Sequence, residues 1–518
     1  MDLSSARARP RTSGRAAAAV LRLAPLLALV GCASLQQPPE PGSAGAAGAA
    51  AAAPVPAAWT ATAPGGAASA TSPVSRAVSL AAWWRGFGDE TMSALVTRAL
   101  DAATDVQAAR ARLRQARAAQ DLAAAGLRPS VGANASAQAS TPEGGPTSRQ
   151  FRAGFDAAWE ADLWGAGRAG VAAAEADLRA SAATLGQAQV ALAAEVAATY
   201  IDLRSAQARL ASTQASLASQ EHTLRLTQWR EQAGLVNRLD VEQQRTTVAQ
   251  TRAQLPALQA SIEQAMNALA VLTGDAPGTL HARLAAAAPL PTAPADLALA
   301  IPAEVLSQRA DVHAAEARVR AALARVEQTD AERLPSLQLS GSIGLSALTV
   351  STLYPGAAAA SLLASVSWPV FDGGRLRSRV RAQEAAFDEA RVNHRATVLA
   401  ALQEVEDTLV ALRAAREQQE NLRTAVEAAR RAAELAEQRY AAGLVDITNV
   451  LLTQRTLLAA EDALAGTTTT LATQHVRLYK ALGGGWTPAA AVAEATASTT
   501  ERNPRPTPRQ TSGPTSRP

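Results

Sequence analysis

Ala233-Gly234-Leu235-Val236 and Ala442-Gly443-Leu444-Val445 decide how this chain is read. Each lies between two long runs of Ala, Gln, Glu, Arg and Leu, so each is a tight turn joining two helices. The two turns are about 209 residues apart, and the same spacing holds outward in both directions. Leu203-Arg204 matches Leu412-Arg413, Gly165 matches Gly374, Trp159 matches Trp368 and Gly274 matches Gly483. Alanine-rich helices match by composition alone. One ungapped spacing that keeps tryptophans, glycines and a turn in step marks a tandem duplication of one structural unit.

Between the helical runs the period changes from helical to two. Residues Val131, Ala133, Ala135, Ala137 and Ala139 alternate with polar or small ones, a turn follows at Pro142 to Pro146, and Phe151, Ala153, Phe155, Ala157 and Trp159 alternate again. The second unit repeats this from Leu337 to Leu345, then from Leu362 through Ala364, Val366 and Trp368 to Val370. Each run is about ten residues, the length of a strand in a membrane barrel. The face carrying Phe155, Trp159, Leu362 and Val366 is expected to meet lipid. The helical expectations are one run from Asp89 to about Ala125, a helix of roughly 100 Å from Gly165 to about Gln232, and a return helix closed at Gly274. In the second unit one helix runs from Ile301-Pro302 to about Arg333, then a long helix to about Ala441, then a last one to about Leu482.

The organisation that follows is a signal peptide over 1–31 and a tether over 32–80. A first repeat covers 81–290, with its hairpin at about 130–163 and its turn at about 233–240. A second covers 291–486, with its hairpin at about 336–372 and its turn at about 442–449. The tail, 487–518, has a disordered composition. Arg7, Arg9, Arg11 and Arg15 precede an apolar run that ends in Leu29-Val30-Gly31-Cys32. That run is too short to span a bilayer and resembles a lipoprotein signal with its lipobox. Cys32, the single cysteine, is the expected lipidation site. Ala33 at the second mature position implies the outer membrane.

The sequence pI near 9.8 invites a nucleic-acid reading. The net charge is only +4, and Arg alternates with Glu and Asp along the helices, which describes solvated, ion-paired faces. No nucleic-acid partner is expected. The five histidines, His222, His281, His313, His394 and His475, show no zinc-ligand spacing, and no nucleophile or phosphate loop is present in the sequence. The chain is expected not to be an enzyme and to need no cofactor or metal.

Several stretches together resemble the TolC-like outer-membrane efflux proteins, in the lipoprotein branch called NodT-type. They are Trp83-Trp84 with Asp89, Pro129 and Pro335 ahead of the strand pairs, and Trp159-Glu160-Ala161-Asp162-Leu163-Trp164-Gly165. Arg309-Ala310-Asp311-Val312, Trp368 to Gly374, and Arg439-Tyr440-Ala441-Ala442-Gly443 complete the set. Ala310 stands where the family usually has Pro, and Thr104 where Asn is common. The resemblance implies a mainly helical, tandem-duplicated fold. Long hairpins form a periplasmic tunnel, and four transmembrane strands per chain close as a trimer into a twelve-stranded barrel. Strand number alone requires only that copies share one barrel, since four strands cannot close one.

The resemblance also implies the function: the outer-membrane duct of a tripartite efflux pump that passes small toxic compounds outward without chemistry. Its partners are a periplasmic adaptor and a proton-driven inner-membrane transporter. The same fold also serves protein secretion. A periplasmic coiled-coil lipoprotein is a rival from another class, but it has no use for barrel-length strands. An adaptor would need only one hairpin. At the far periplasmic end, Ala233, Gly234, Leu235, Ala442, Gly443 and Leu444 are the expected adaptor contacts, because a solvated turn has no need of exposed leucines. Asp240, Asp446, Thr448, Asn449 and Leu452 are the gate candidates. Asp240 and Asp446 could equally be helix N-caps. The family's acidic positions in this stretch are here Asn449 and Leu452.

Overall fold

The structure, a computed structural model, describes residues 59, 82–292, 302–353 and 357–486. Cys32, the signal peptide and the C-terminal tail lie outside the described residues. Helix-favouring composition yields α1 (Glu90–Ala102), α2 (Thr104–Ala125), α3 (Ala166–Gln232), α4 (Arg238–Leu272), α5 (Ala310–Ala331), α6 (Arg375–Ala441) and α7 (Ile447–Ala481). The duplication is visible in their lengths. Both α3 and α6 have 67 residues, and both α4 and α7 have 35. Each long helix starts at a glycine in the left-handed region, Gly165 at φ 85° and Gly374 at φ 87°. A carboxylate just upstream satisfies the free amides of the first turn. Asp162 accepts from Gly167 and Arg168 N–H at 3.2 and 3.0 Å, and Asp372 from Gly374 and Leu376 N–H at 2.9 and 2.8 Å.

The strands are β1 (Ser130–Ser140), β2 (Ser148–Ala161), β3 (Ser336–Ala347) and β4 (Ala357–Ser367). They form one antiparallel meander in the order β1-β2-β3-β4. Its register sets Phe155 opposite Ile343 and Ala133, Trp159 opposite Leu339, Gly341 opposite Leu362, and Leu337 opposite Val366. Directly opposed residues share a face, so the apolar set gathers on one side. Asn134, Arg152, Asp156, Glu160, Ser342 and Ser361 share the other, where Asn134 donates to Asp156. Phe155, Ile343, Leu362 and Val366 are exposed by 58, 62, 84 and 71%.

The elements differ from the sequence expectation in three ways. The first helical run is broken at Ala103, and the run expected from Ile301 is broken at Arg309 into a short helix (Pro302–Gln308) and α5. The cause is tertiary. A Cβ on Gly274 would lie 2.6 Å from Ala102 O, and one on Gly483 2.5 Å from Gln308 O. The glycine that ends each return helix packs its bare backbone into the break, in both repeats. Second, β4 stops at Ser367, so Trp368 and Val370 fall outside it, and Pro369 has no amide with which to continue the ladder. Val366 is therefore near the foot of the strand and Leu362 near its middle. Third, a short helix (His281–Leu284) interrupts the connection between the repeats.

The apolar core forms a belt about halfway along the long helices. Trp83 stacks on Tyr479 at 5.1 Å, which joins the start of the first repeat to the end of the second. Met92, Leu95, Val96, Tyr200, Ile201 and Leu269 fill the space around them. Asp89 caps α1 rather than lying within it, accepting from Met92 N–H at 2.8 Å. Its other oxygen accepts from the Tyr200 hydroxyl at 2.8 Å. Val305, Val398, Val405, Leu409 and Leu478 form a second cluster. Trp59, inside the stretch read as a tether, is buried there at 5% exposure. Arg309, at the second break, donates to Asp311, Glu404 and the Ala481 carbonyl within 3.0 Å. Burial alone would raise the Asp311 carboxyl, but the hydrogen bond and charge of Arg309 outweigh it and hold it below the usual carboxylate range.

Candidate functional site

The two turns are geometric copies. Ala233 and Ala442 both have φ −79° and ψ −1°, and Gly234 and Gly443 both have φ 71°. Leu235 N–H donates to Arg230 O at 2.8 Å and Gly234 N–H to Glu231 O at 2.9 Å. Leu444 and Gly443 make the same pair of bonds to Arg439 and Tyr440, each at 2.9 Å. This is the Schellman arrangement, in which only a residue without Cβ takes the left-handed position easily. The leucine that follows usually packs back on its own helix in this motif. Here Leu235 and Leu444 are 73 and 74% exposed, so the turn geometry explains the glycines and leaves the leucines without an intramolecular role.

The acidic candidates separate. Asp240 is not the N-cap of α4. Asn237 is, and the two residues form a reciprocal capping box, with Asn237 accepting from Asp240 N–H at 3.1 Å and Asp240 from Asn237 N–H at 3.2 Å. Asp446 is the N-cap of α7, without a side-chain capping bond. Ile447, Val450 and Leu451 turn inward onto Tyr440, which leaves Asp446, Thr448, Asn449 and Leu452 on the exposed side of the first turns of α7. Asp240 belongs to the other turn and is not part of that row.

Sequence reasoning did not single out Arg230. Its guanidinium donates to Tyr440 O and Ala441 O, both at 2.9 Å, and lies 4.3 Å from the centre of the Tyr440 ring. The Ala441 carbonyl at the end of α6 is thereby satisfied from α3, and the Tyr440 carbonyl gains a second donor beside Gly443 N–H, so the tips are tied together. The Tyr440 hydroxyl also shares a hydrogen bond with Thr227 at 3.2 Å. A second missed feature is an ion pair that appears twice with its signs exchanged. Arg252 to Glu221 is 2.5 Å in the first hairpin, and Glu461 to Arg430 is 2.8 Å in the second. Applying the repeat spacing to every charged residue would have found it.

Four barrel-length strands with an apolar face, carried on helices of roughly 100 Å, define a membrane-anchored helical duct. A family model described as outer membrane efflux protein matches residues 95–275 and 301–484, one segment in each repeat. The pyoverdine export outer membrane protein OpmQ of Pseudomonas putida is 34% identical over 437 residues, covering 82% of this chain and 92% of the relative. Nodulation protein T of Rhizobium leguminosarum is 30% identical, covering 79 and 85%. Among solved structures, the outer-membrane channel OprN superposes with a TM-score of 0.75 at 35% identity, over 78% of this chain and 93% of that one. VceC of Vibrio cholerae gives 0.73 at 29% identity, over 78 and 99%.

The chain belongs to the outer membrane efflux protein family. It is an outer-membrane efflux channel whose strands sit in that membrane and whose helices extend into the periplasm. The family consists of channels, not enzymes.

Proposed function

We propose that three copies of this chain close one twelve-stranded barrel and continue it as a helical tunnel, the passive outer-membrane duct of a tripartite pump. The observation that carries this is the four-stranded sheet, whose two outer strands have no partner among the described residues. Four strands are half the smallest usual barrel, and an open sheet edge is not tolerated in lipid. The apolar sheet face meets lipid and the polar face lines the bore. A periplasmic adaptor seats its helical hairpins on the tips at Leu235 and Leu444, and a proton-driven inner-membrane transporter supplies the energy. The row on α7 with Asp446, Thr448, Asn449 and Leu452 narrows the closed end. The cargo is small organic compounds. Relatives are named for pyoverdine export and, in Pseudomonas putida, for toluene efflux. A strain lacking the chain should accumulate a fluorescent efflux dye, and returning the chain should clear it. Unchanged accumulation contradicts the reading.

Cys32 carries the lipid in this scheme. Metabolic labelling with palmitate should mark the wild-type chain and not Cys32→Ser, while the variant keeps part of its export because the barrel holds the trimer by itself. Equal labelling of both removes the anchor from the account.

A further inference from the structure

Each return helix contains a single residue that weakens a helix, and the two lie at matching heights. In α4 it is Pro256, the nineteenth of 35 residues, and in α7 it is Gly466, the twentieth of 35. Pro256 cannot donate to the Arg252 carbonyl. Within one protomer, a Cβ on Gly466 would meet no described atom within 4 Å. Four threonines follow it. Thr468, Thr469 and Thr470 each turn the hydroxyl back onto the carbonyl four residues earlier, at 2.8, 2.9 and 2.9 Å, a pattern that loosens and bends helices. The long helices also carry back-bonded threonines, Thr223, Thr227 and Thr424 among them, but singly and without a proline or glycine beside them. From Gln187 to the tip α3 has neither glycine nor proline, and α6 has none anywhere.

The packing changes at the same height. Toward the membrane lies the apolar belt. Toward the tips, roughly 27 Å of helix, the interior is mixed: apolar Val241, Val248, Val450 and Tyr440 are buried beside Gln220, Thr223 and Thr227 of α3, Gln244 of α4 and Gln454 of α7. The side-chain oxygens of Gln220, Gln244 and Gln454 find no donor among the described residues. An interior that mixes such polar groups into the apolar packing is held less firmly than the apolar belt, because those groups can exchange partners as helices shift. The sign-exchanged pairs, Arg252 with Glu221 and Glu461 with Arg430, hold each return helix to its long helix within a turn or two of the weak point. Their arginines are more than half exposed, so these ties are weak.

We infer that Pro256 and the segment Gly466–Thr470 form a paired flexure, where the tip-side halves of α4 and α7 bend away from α3 and α6 when the duct opens. The inference rests on the reading of the tips as the end that opens. Hydrogen–deuterium exchange on the full-length chain in lipid nanodiscs tests it. In the wild type, amides over 252–258 and 464–471 should exchange about tenfold faster than those two turns to either side. The double variant Pro256→Ala, Gly466→Ala, which alanine's helix preference should stiffen, is expected to remove most of that excess, about fivefold or more at the glycine. In planar-bilayer recordings it should also lower the open fraction about fivefold, with assembly unchanged. Uniform protection along both return helices in the wild type overturns the flexure. So does a double variant with restored protection and an unchanged open fraction. Exchange is read without any export, so a chain with the expected profile that cleared no dye would count against the duct and not against the flexure.

Discussion

Leu444→Asp is expected to leave the fold and the oligomer intact and to return dye accumulation to that of a strain lacking the chain. The side chain is 74% exposed on its own protomer, at the second turn. Substitutions at such positions usually change stability by no more than about 0.5 kcal/mol. In the proposed joint the same atoms are covered by an adaptor hairpin, and an uncompensated carboxylate buried there costs on the order of 3–5 kcal/mol. That is roughly a hundred- to four-thousandfold in affinity. Site-specific crosslinking from the tip to the adaptor should be lost together with export. Full crosslinking with full export in Leu444→Asp would show that the leucine is only part of a turn.

Leu362→Arg should block assembly, and Ser361→Arg should not. The two residues are adjacent on β4 but point to opposite faces. Leu362 is opposite Gly341 on the apolar side, and the Ser361 hydroxyl is 2.9 Å from that of Ser342 on the polar side. An arginine at mid-bilayer on a barrel costs about 2–4 kcal/mol, so three copies lose about 6–12 kcal/mol together. Val366→Arg, close to the foot of the strand, should cost about 0–1 kcal/mol per copy. The heat-sensitive oligomer band on semi-native gels should vanish for Leu362→Arg and persist for the other two. Equal assembly of Leu362→Arg and Ser361→Arg would mean that the faces have been assigned the wrong way round.

The elements that sequence revealed best are those in which local chemistry and tertiary structure agree. Gly234 and Gly443 end helices by a rule that is local to six residues, and the period-two alternation follows from a sheet with one apolar face. The breaks at Ala103 and Arg309 were hidden because nothing in Ala102-Ala103-Thr104 or Gln308-Arg309-Ala310 resists a helix. They exist because Gly274 and Gly483, more than 170 residues away, press backbone into them. The buried Trp59 was hidden for a similar reason, as its sequence neighbours are Ala and Pro and the cluster that buries it comes from Val305, Val398, Leu409 and Leu478 of the second repeat. At the tips, the exposed leucines were legible from composition. The tie from Arg230 to the end of α6 was not, because it joins two hairpins that the chain separates by over 200 residues. The role of Asp240 was half legible. A capping residue was expected at that turn, but Asn237 takes the cap and Asp240 completes the box.

Native mass spectrometry of the full chain, extracted from the outer membrane in a mild detergent, tests the central claim most directly. Three copies in one particle is the result this account predicts, since three sets of four strands close a barrel and one set cannot. A folded, membrane-extracted particle containing a single copy would contradict it.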